Sequence, residues 1–322
     1  MDYTNIGINI IREQQVRDVE LAVELAGVKM KNPVMLASGT AGYGIELSSL
    51  MDLSRVGALV LKSVTVEPSK GNPEPRVWET AAGMLNSIGL ENVGVEALIT
   101  EVIPALEGLG TPIFASIVGD TVRSFARLAT RLESAGGVDA LEVNVSCPNV
   151  EKGGIQFGVD PGATSAVVMS VKENCGLPVF VKLTAAVADI SRIAVAAQRA
   201  GADGLTLINT VPGLAIDPMT RRPCLGGVIG GLSGPAIKPV ALKAVWDCYR
   251  ATGLPIIGGG GIYDTGDVLE FLIAGASAVS VGTAMFRNPG VALEIIEGLP
   301  GALGRVGARS VGELTGTLEL PA

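Results

Sequence analysis

Short β-branched runs alternate with amphipathic stretches along most of the chain. Eight segments read as strands: PVMLAS (33–38), GALVLKS (57–63), PIFASIV (112–118), DALEVNVS (139–146), PVFVKLT (178–184), DGLTLIN (203–209), LPIIGG (254–259) and SAVSVGT (277–283). They are mostly continuous apolar runs rather than alternating ones, the pattern of parallel strands covered on both faces. Between them the period changes to that of a helix. From Thr121 to Ala135, Val122, Phe125, Ala129 and Leu132 share one face while Arg123, Arg127 and Arg131 fall largely elsewhere. Gly136, Gly201 and Gly275 stand where left-handed C-caps would end such helices before the next strand. Eight strands with intervening helices predict an α/β fold, a (β/α)₈ TIM barrel, rather than a doubly wound sheet. The connection after Lys62 is long, and its SKGNPEPRVWET portion predicts an excursion over the barrel mouth after strand 2. Residues 1–322 read as a single barrel domain, with 1–18 as a polar N-terminal extension of no assigned use.

Composition narrows the chemistry more than the fold. Hydrophobic residues make up 48% of the chain and charged residues 17%, which predicts a large core and argues against disorder. No apolar run approaches the ~20 residues that span a bilayer, so no membrane association is expected. The first residues lack the apolar stretch of a signal peptide. A net charge of −8, scattered along the chain, argues against nucleic-acid binding. The four cysteines (Cys147, Cys175, Cys224, Cys248) form no CxxC pair, which suits a reducing, cytoplasmic setting better than a disulfide framework. There is no histidine at all. That excludes a Ser-His-Asp triad, a His-based zinc site and an imidazole base, and no metal site is expected. Acid–base work then falls to Cys, Asp, Glu, Lys, Tyr or a cofactor.

Barrel active sites lie at the C-terminal ends of the strands. There the chain places Ser38, Lys62 with Ser63, Ser116, Asn144 followed by Cys147, Lys182, Asn209 with Thr210, Gly260 with Gly261, and Gly282 with Thr283. Every strand contributes, which predicts a lined pocket rather than ordinary polar strand ends. Glycine-rich turns after strands six, seven and eight (GGLSGP at 230–235, GGGGI at 258–262, VGT at 281–283) let backbone amides approach a phosphate. A tight turn needing positive φ is the alternative for each, and their coincidence on adjacent strands favours a phosphate. Lys62 and Lys182 end otherwise apolar strands and each needs an anionic or electron-rich partner. That partner is either a carboxylate of the chain or a ligand such as a flavin, whose N1/C2=O edge gains negative charge on reduction.

Cys147 lies in LEVNVSCPNVEKGG (141–154), just past strand four and flanked by Asn144 and Asn149. A lone cysteine is most often a small buried hydrophobe. At the catalytic face of a chain without histidine, a thiol of ordinary pKa about 8.5 becomes the candidate general base. The other three cysteines lack such surroundings. Asn86, Asn144, Asn149 and Asn209 offer paired donors and acceptors to a flat cyclic amide, and the amides around Ile88 to Leu90 form a candidate carboxylate nest.

With these residues in place the chain resembles the dihydroorotate dehydrogenase family, in its class 1. The resemblance runs from about Val23 to Gly290 and rests on ASGTAGYG (37–44), LKSVT (61–65), GNPEPR (71–76), GMLNSIGLEN (83–92), NVSCPN (144–149), FGVDP (157–161), KLT (182–184), LINT (207–210), GGLSGPAIKP (230–239) and GGGGI. It implies that Ser38, Lys62, Ser63, Ser116, Asn144, Lys182, Ile208, Gly234, Gly260, Gly261, Gly282 and Thr283 surround FMN. It implies substrate contacts from Lys62, Asn86, Ser87, Ile88, Gly89, Leu90, Asn144, Asn209 and Thr210, with Asn149 close by. Cys147 would take the C5 proton of dihydroorotate while C6 delivers hydride to FMN. The membrane-associated class 2, with a serine base and a hydrophobic extension, looks different.

GMLNSIGLEN and VEKGGIQFG resemble class 1B rather than the fumarate-using class 1A. Class 1B implies a catalytic homodimer with one partner subunit per protomer, a heterotetramer. The partner carries FAD and a [2Fe–2S] cluster and passes electrons to NAD⁺. This chain has neither clustered cysteines for such a cluster nor an early GxGxxG unit. Two departures touch the cofactor surroundings: KLTAAVADI lacks the Pro-Asn often found after this lysine, and Ser116 stands where asparagine is common. A related flavoenzyme acting on another cyclic amide, a class 1A-type fumarate-dependent enzyme, and a non-catalytic barrel that binds flavin or a phosphate are the competing expectations.

Overall fold

The computed structural model describes residues 19–146 and 157–321. Eight parallel strands close into a barrel in chain order: β1 (Val34–Leu36), β2 (Ala58–Val60), β3 (Ile113–Ile117), β4 (Ala140–Asn144), β5 (Val179–Leu183), β6 (Gly204–Leu207), β7 (Ile256–Gly259) and β8 (Ala278–Val281), with β8 pairing back onto β1. Each lies inside one of the eight apolar runs, so the expected (β/α)₈ barrel is the fold observed. The helices after β3 to β8 are α1 (Val122–Ala135), α2 (Pro161–Asn174), α3 (Ile190–Arg199), α4 (Lys238–Thr252), α5 (Thr265–Ala274) and α6 (Val291–Arg305). After β1 the described chain makes turns and one 3₁₀ turn, Leu53–Arg55; after β2 a helical run from Gly94 to Ala105 includes the π turn Leu98–Val102.

Local chemistry sets the helix starts. The Thr121 hydroxyl accepts from the Ser124 amide and completes a capping box for α1. The Asp160 carboxylate accepts from the Ala163 amide, with Pro161 at the first turn of α2. Asp264 and Asp267 form the capping box of α5. Gly253 and Gly275 end α4 and α5 in the left-handed conformation, and Gly136 caps α1.

Strand residues divide by face. The outward set, including Leu36, Leu59, Ile117, Val143, Val181, Leu207 and Val281, packs under the helices in one large core. The inward set is apolar below and polar above. Met35, Val60, Phe114, Phe180 and Ile257 fill the lower barrel, with the Phe114 and Phe180 rings 5.4 Å apart. A hairpin outside the predicted elements closes that end: Val23–Leu25 pairs with Val28–Met30, and Leu25, Val28 and Met30 join the same apolar cluster. Higher up the strands the polar residues Ser116, Glu142, Asn144, Lys182, Thr206 and Ser280 follow. Since side chains alternate, Glu142 and Asn144 share a face, as do Phe180 and Lys182.

The excursion after β2 is present and does not stand alone. Val77–Thr80 pairs with Gly83–Asn86, which pairs with Ile229–Ser233, which pairs with Val211–Leu214. Thus the connections after β2 and β6 build one four-stranded antiparallel sheet at the C-terminal end of the barrel. Most of the GGLSGP segment, expected as a loop, is a strand of this sheet; only from Gly234 (φ 96°) does it turn into the 3₁₀ start of α4.

Candidate active site

The polar strand ends join into a continuous hydrogen-bonded network. The Ser38 and Ser63 hydroxyls are 3.5 Å apart, and those of Ser63 and Ser116 are 2.8 Å apart. Ser116 donates to Glu142 Oε1 at 3.0 Å, and Lys182 Nζ donates to the same oxygen at 3.3 Å. From Ser63 a second branch opens: Asn144 Nδ2 donates to its hydroxyl at 3.4 Å. Asn144 Oδ1 accepts from the Ser146 hydroxyl at 2.9 Å and from Asn209 Nδ2 at 3.4 Å. Asn209 also donates to Ser146 Oγ at 2.8 Å, and its own Oδ1 accepts from the Thr210 amide at 2.8 Å. Seven expected residues therefore meet: Ser38, Ser63, Ser116, Asn144, Lys182, Asn209 and Thr210. Six strands or the loops that follow them contribute, which fixes the rotamers of the amide groups mutually.

Lys62 reaches the excursion. Its ammonium donates to Glu91 at 3.3 Å, and Arg76 holds the other oxygen of that carboxylate at 3.0 Å. The Arg76 guanidinium, with the Lys62 ammonium beside it, keeps the Glu91 carboxyl below the usual carboxylate range. So both lysines have a carboxylate of the chain as partner. Neither ammonium is used up: each can donate three hydrogen bonds, and one partner each is found among the described residues.

Residues 86–90 approach from the excursion sheet. Asn86 Nδ2 donates to the Gly231 carbonyl at 3.2 Å, and Gly231 lies against Thr210. Ser87 Oγ accepts from Asn72 Nδ2 at 2.9 Å. Gly89 and Leu90 both have positive φ (73° and 59°), so the backbone turns sharply at this point. A Cβ at Gly89 would lie 2.4 Å from the Asn72 side chain, so only glycine fits. Ile208 is buried, its amide donating to the Gly259 carbonyl at 3.0 Å. Cys147 and Asn149 lie outside the described residues; Ser146, immediately before Cys147, is held by Asn144 and Asn209.

Glycine loops meet on the opposite side of the mouth. A Cβ on Gly261 would be 2.9 Å from the Gly234 carbonyl, and Thr283 Oγ1 donates to Ser233 Oγ at 2.8 Å. This brings together the N-terminus of the 3₁₀ turn leading into α4, with Gly234 as N-cap, and that of the 3₁₀ turn Thr283–Phe286, with Gly282 as N-cap. Neither has a side-chain cap. By contrast α5, which follows Gly260 and Gly261, carries its own carboxylate cap. Two uncapped amide ends flanked by glycines suit a phosphate.

FMN fits this donor set. Its phosphate matches the amide ends around Gly234 and Gly282, and its reducible edge matches the ammonium of Lys182. Thr206, paired in register with Lys182, has a buried hydroxyl with no partner among the described residues, so polar capacity remains at that level of the barrel. Sequence reasoning had not singled out Glu142, Glu91, Arg76, Ser146 or Ser233. For Glu142 the signal was available: an acid two residues before Asn144, inside a strand covered on both faces.

The comparisons with known proteins point to one family. The dihydroorotate dehydrogenase family model matches residues 20–303. A relative from Desulforudis audaxviator, named dihydroorotate dehydrogenase B (NAD(+)), catalytic subunit, is 53% identical over 298 residues, covering 92% of this chain and 97% of the relative. Relatives of the same name from Geobacter sp. (strain M21) and Caldicellulosiruptor saccharolyticus are 50% and 48% identical, each covering 94% of this chain and 99% and 100% of their own lengths. Barrel, amide-lined mouth and near full-length similarity lead to one conclusion: the chain belongs to the dihydroorotate dehydrogenase family.

Proposed function

We propose that this chain, acting as one barrel domain, oxidises dihydroorotate to orotate in pyrimidine biosynthesis as the FMN-bearing catalytic subunit of an NAD-linked enzyme. The observation that carries the reading is the Ser63–Asn144–Asn209 network, which holds amide donors and acceptors at the mouth beside Lys182. FMN, when bound, supplies the hydride acceptor for C6 of the substrate. Ser38, Lys62, Ser63, Ser116, Asn144, Lys182, Ile208, Gly234, Gly260, Gly261, Gly282 and Thr283 surround it in this scheme.

The chain's own residues do the rest. Asn86, Asn144, Asn149, Asn209 and Thr210 read the N–H and C=O groups of the ring, while Lys62 and the backbone from Ser87 to Leu90 hold the carboxylate. Cys147 removes the C5 proton as its thiolate. The sheet over the mouth excludes water, which strengthens each of these contacts. Electrons leave through a partner subunit carrying FAD and a [2Fe–2S] cluster to NAD⁺, in a heterotetramer built on a homodimer of this chain. Relatives named as NAD(+)-linked catalytic subunits support that assignment. So do apolar side chains exposed on the connection after β6: Leu214 and Ile229, a cross-strand pair, with Ile216 and Met219, are each more than half exposed. The free, buried Cys175, Cys224 and Cys248 suit the cytoplasm.

The test is Cys147→Ser. Flavin reduction by dihydroorotate should slow by two or more orders of magnitude at neutral pH while FMN stays bound, in line with the ~10²–10⁴-fold worth of a general base. An unchanged rate contradicts the role given to Cys147.

A further inference from the structure

Glu142 is a charged group inside the barrel to which the binding scheme gives no task. Its side chain is 3% exposed, and Oε1 accepts from both Lys182 Nζ at 3.3 Å and Ser116 Oγ at 3.0 Å. It stands one inward step below Asn144 on β4, next to the strand that carries Lys182. A carboxylate this deep is costly, and the inward positions below it are apolar. Barrel packing alone would be met as well by a valine or leucine, since buried ion pairs give little net stability over apolar residues of similar size. Its contacts all lead to the cofactor side: Lys182 directly, and Ser63 through Ser116.

We propose that Glu142 is a positioning residue for Lys182, which holds the ammonium in place and offsets its charge, and so would lower the reduction potential of FMN bound there. The inference rests on the FMN reading above. Reduction puts negative charge on the N1/C2=O edge of a flavin, and an ammonium nearby stabilises that charge. In a poorly screened barrel interior, a carboxylate 3.3 Å from the same ammonium cancels much of its field. The consequence is a flavin that gives up its electrons more readily. An electron chain ending on NAD⁺, a weak oxidant, needs such a donor. Without Glu142 the same lysine would hold the reduced state too firmly.

The experiment measures the FMN midpoint potential of the loaded chain by equilibration with a reference dye, for the wild type, Glu142→Gln, Lys182→Met and the double variant. Glu142→Gln keeps the shape and the acceptor oxygen but removes the charge. Its potential should rise enough to shift the reduced-to-oxidised ratio at least tenfold at fixed poise, ~30 mV for a two-electron couple. Lys182→Met should lower the potential, and adding Glu142→Gln to it should bring no comparable rise, because the ammonium being offset is gone. A potential in Glu142→Gln equal to or below that of the wild type overturns the proposal, as does an equal rise in the Lys182→Met background. Should Glu142→Gln fail to hold flavin, Glu142→Asp, with its carboxylate withdrawn by one methylene, must show a smaller rise; no rise overturns the proposal equally. A wild-type chain that takes up no FMN contradicts the functional reading, whereas a loaded wild type with an unmoved Glu142→Gln contradicts this inference alone.

Discussion

Gly231→Ala probes how tightly the excursion after β2 and the connection after β6 are fitted around the substrate residues. A Cβ at this position would lie 1.9 Å from Thr210 Oγ1 and 2.6 Å from Thr210 Cβ. Turning the threonine side chain cannot relieve the second contact, so backbone must move. Carbon atoms settle at ~3.5–4.0 Å, so about 1 Å of displacement separates the strand Ile229–Ser233 from Thr210. The Gly231 carbonyl also anchors Asn86, so both substrate-facing groups shift together. A misplacement of ~1 Å at positioning residues costs on the order of 10²-fold in rate. The expected result is a fall of about that size in kcat/KM for dihydroorotate, with FMN content retained and a stability loss of ~1–3 kcal/mol from overpacking. Gly213→Ala is the control in the same sheet: its only contact under 3 Å would be with the far end of the flexible Leu85 side chain, at 2.9 Å, with no backbone in the way. Steady-state kinetics on flavin-replete protein decides. A Gly231→Ala enzyme within threefold of wild type, or a Gly213→Ala enzyme equally impaired, refutes the reasoning.

Other perturbations test separate parts of the account. At neutral pH, Glu91→Gln should cost under about 1 kcal/mol, because the carboxylate is 45% exposed and screened. The folded-state pKa of Glu91 is depressed, so its contribution is present above the unfolded value of ~4.3 and lost as pH falls through the folded one. The difference in Tm between variant and wild type should therefore shrink as pH falls below ~4.3 and disappear once Glu91 is protonated in the folded protein; an offset that stays constant as pH falls contradicts the ion-pair reading. Iodoacetamide at pH 8 should label Cys147 in the native protein and leave Cys175 and Cys248 untouched, with orotate protecting Cys147. Burial pushes the Cys248 thiol up to about 12, leaving roughly one part in ten thousand as thiolate, and raises Cys175 as well. Native labelling of either buried thiol would contradict this. Leu25→Ala in the hairpin should lower stability by ~2–5 kcal/mol, measured by denaturant titration. Because Leu25 packs at the end of the barrel away from the mouth, KM should hold; a raised KM would show that the hairpin shapes the site. Ile216→Asp should reduce self-association or partner binding in sedimentation experiments, and an unchanged assembly would exclude that patch as a contact.

The barrel was legible because its strands are buried on both faces and read as apolar runs. Polar residues inside those runs, Ser116, Lys182 and Asn144, marked the inward face near the mouth. Two features were not legible, for a common reason. The pairing of Gly83–Asn86 with Ile229–Ser233 joins segments far apart in the chain, and glycine-rich GGLSGP gives no alternation by which to recognise a strand. The hairpin Val23–Leu25/Val28–Met30 is short, and its apolar side chains have meaning only against the barrel floor that they cover. Within the site, residue types predicted which groups gather at the mouth. They did not predict which carboxylates neutralise the lysines, because a glutamate in sequence looks the same whether solvated like most, or buried like Glu142.

The central claim is tested most directly under anaerobic conditions, by recording the flavin spectrum of the purified chain and adding dihydroorotate. The account predicts a yellow protein whose bound FMN bleaches rapidly, with colour restored by NAD⁺ once the FAD and [2Fe–2S] partner subunit is supplied. Bleaching by another reduced pyrimidine but not by dihydroorotate would contradict the substrate, and recovery with fumarate alone would contradict the NAD-linked partner. A protein that takes up no FMN even with its partner present would contradict the account as a whole.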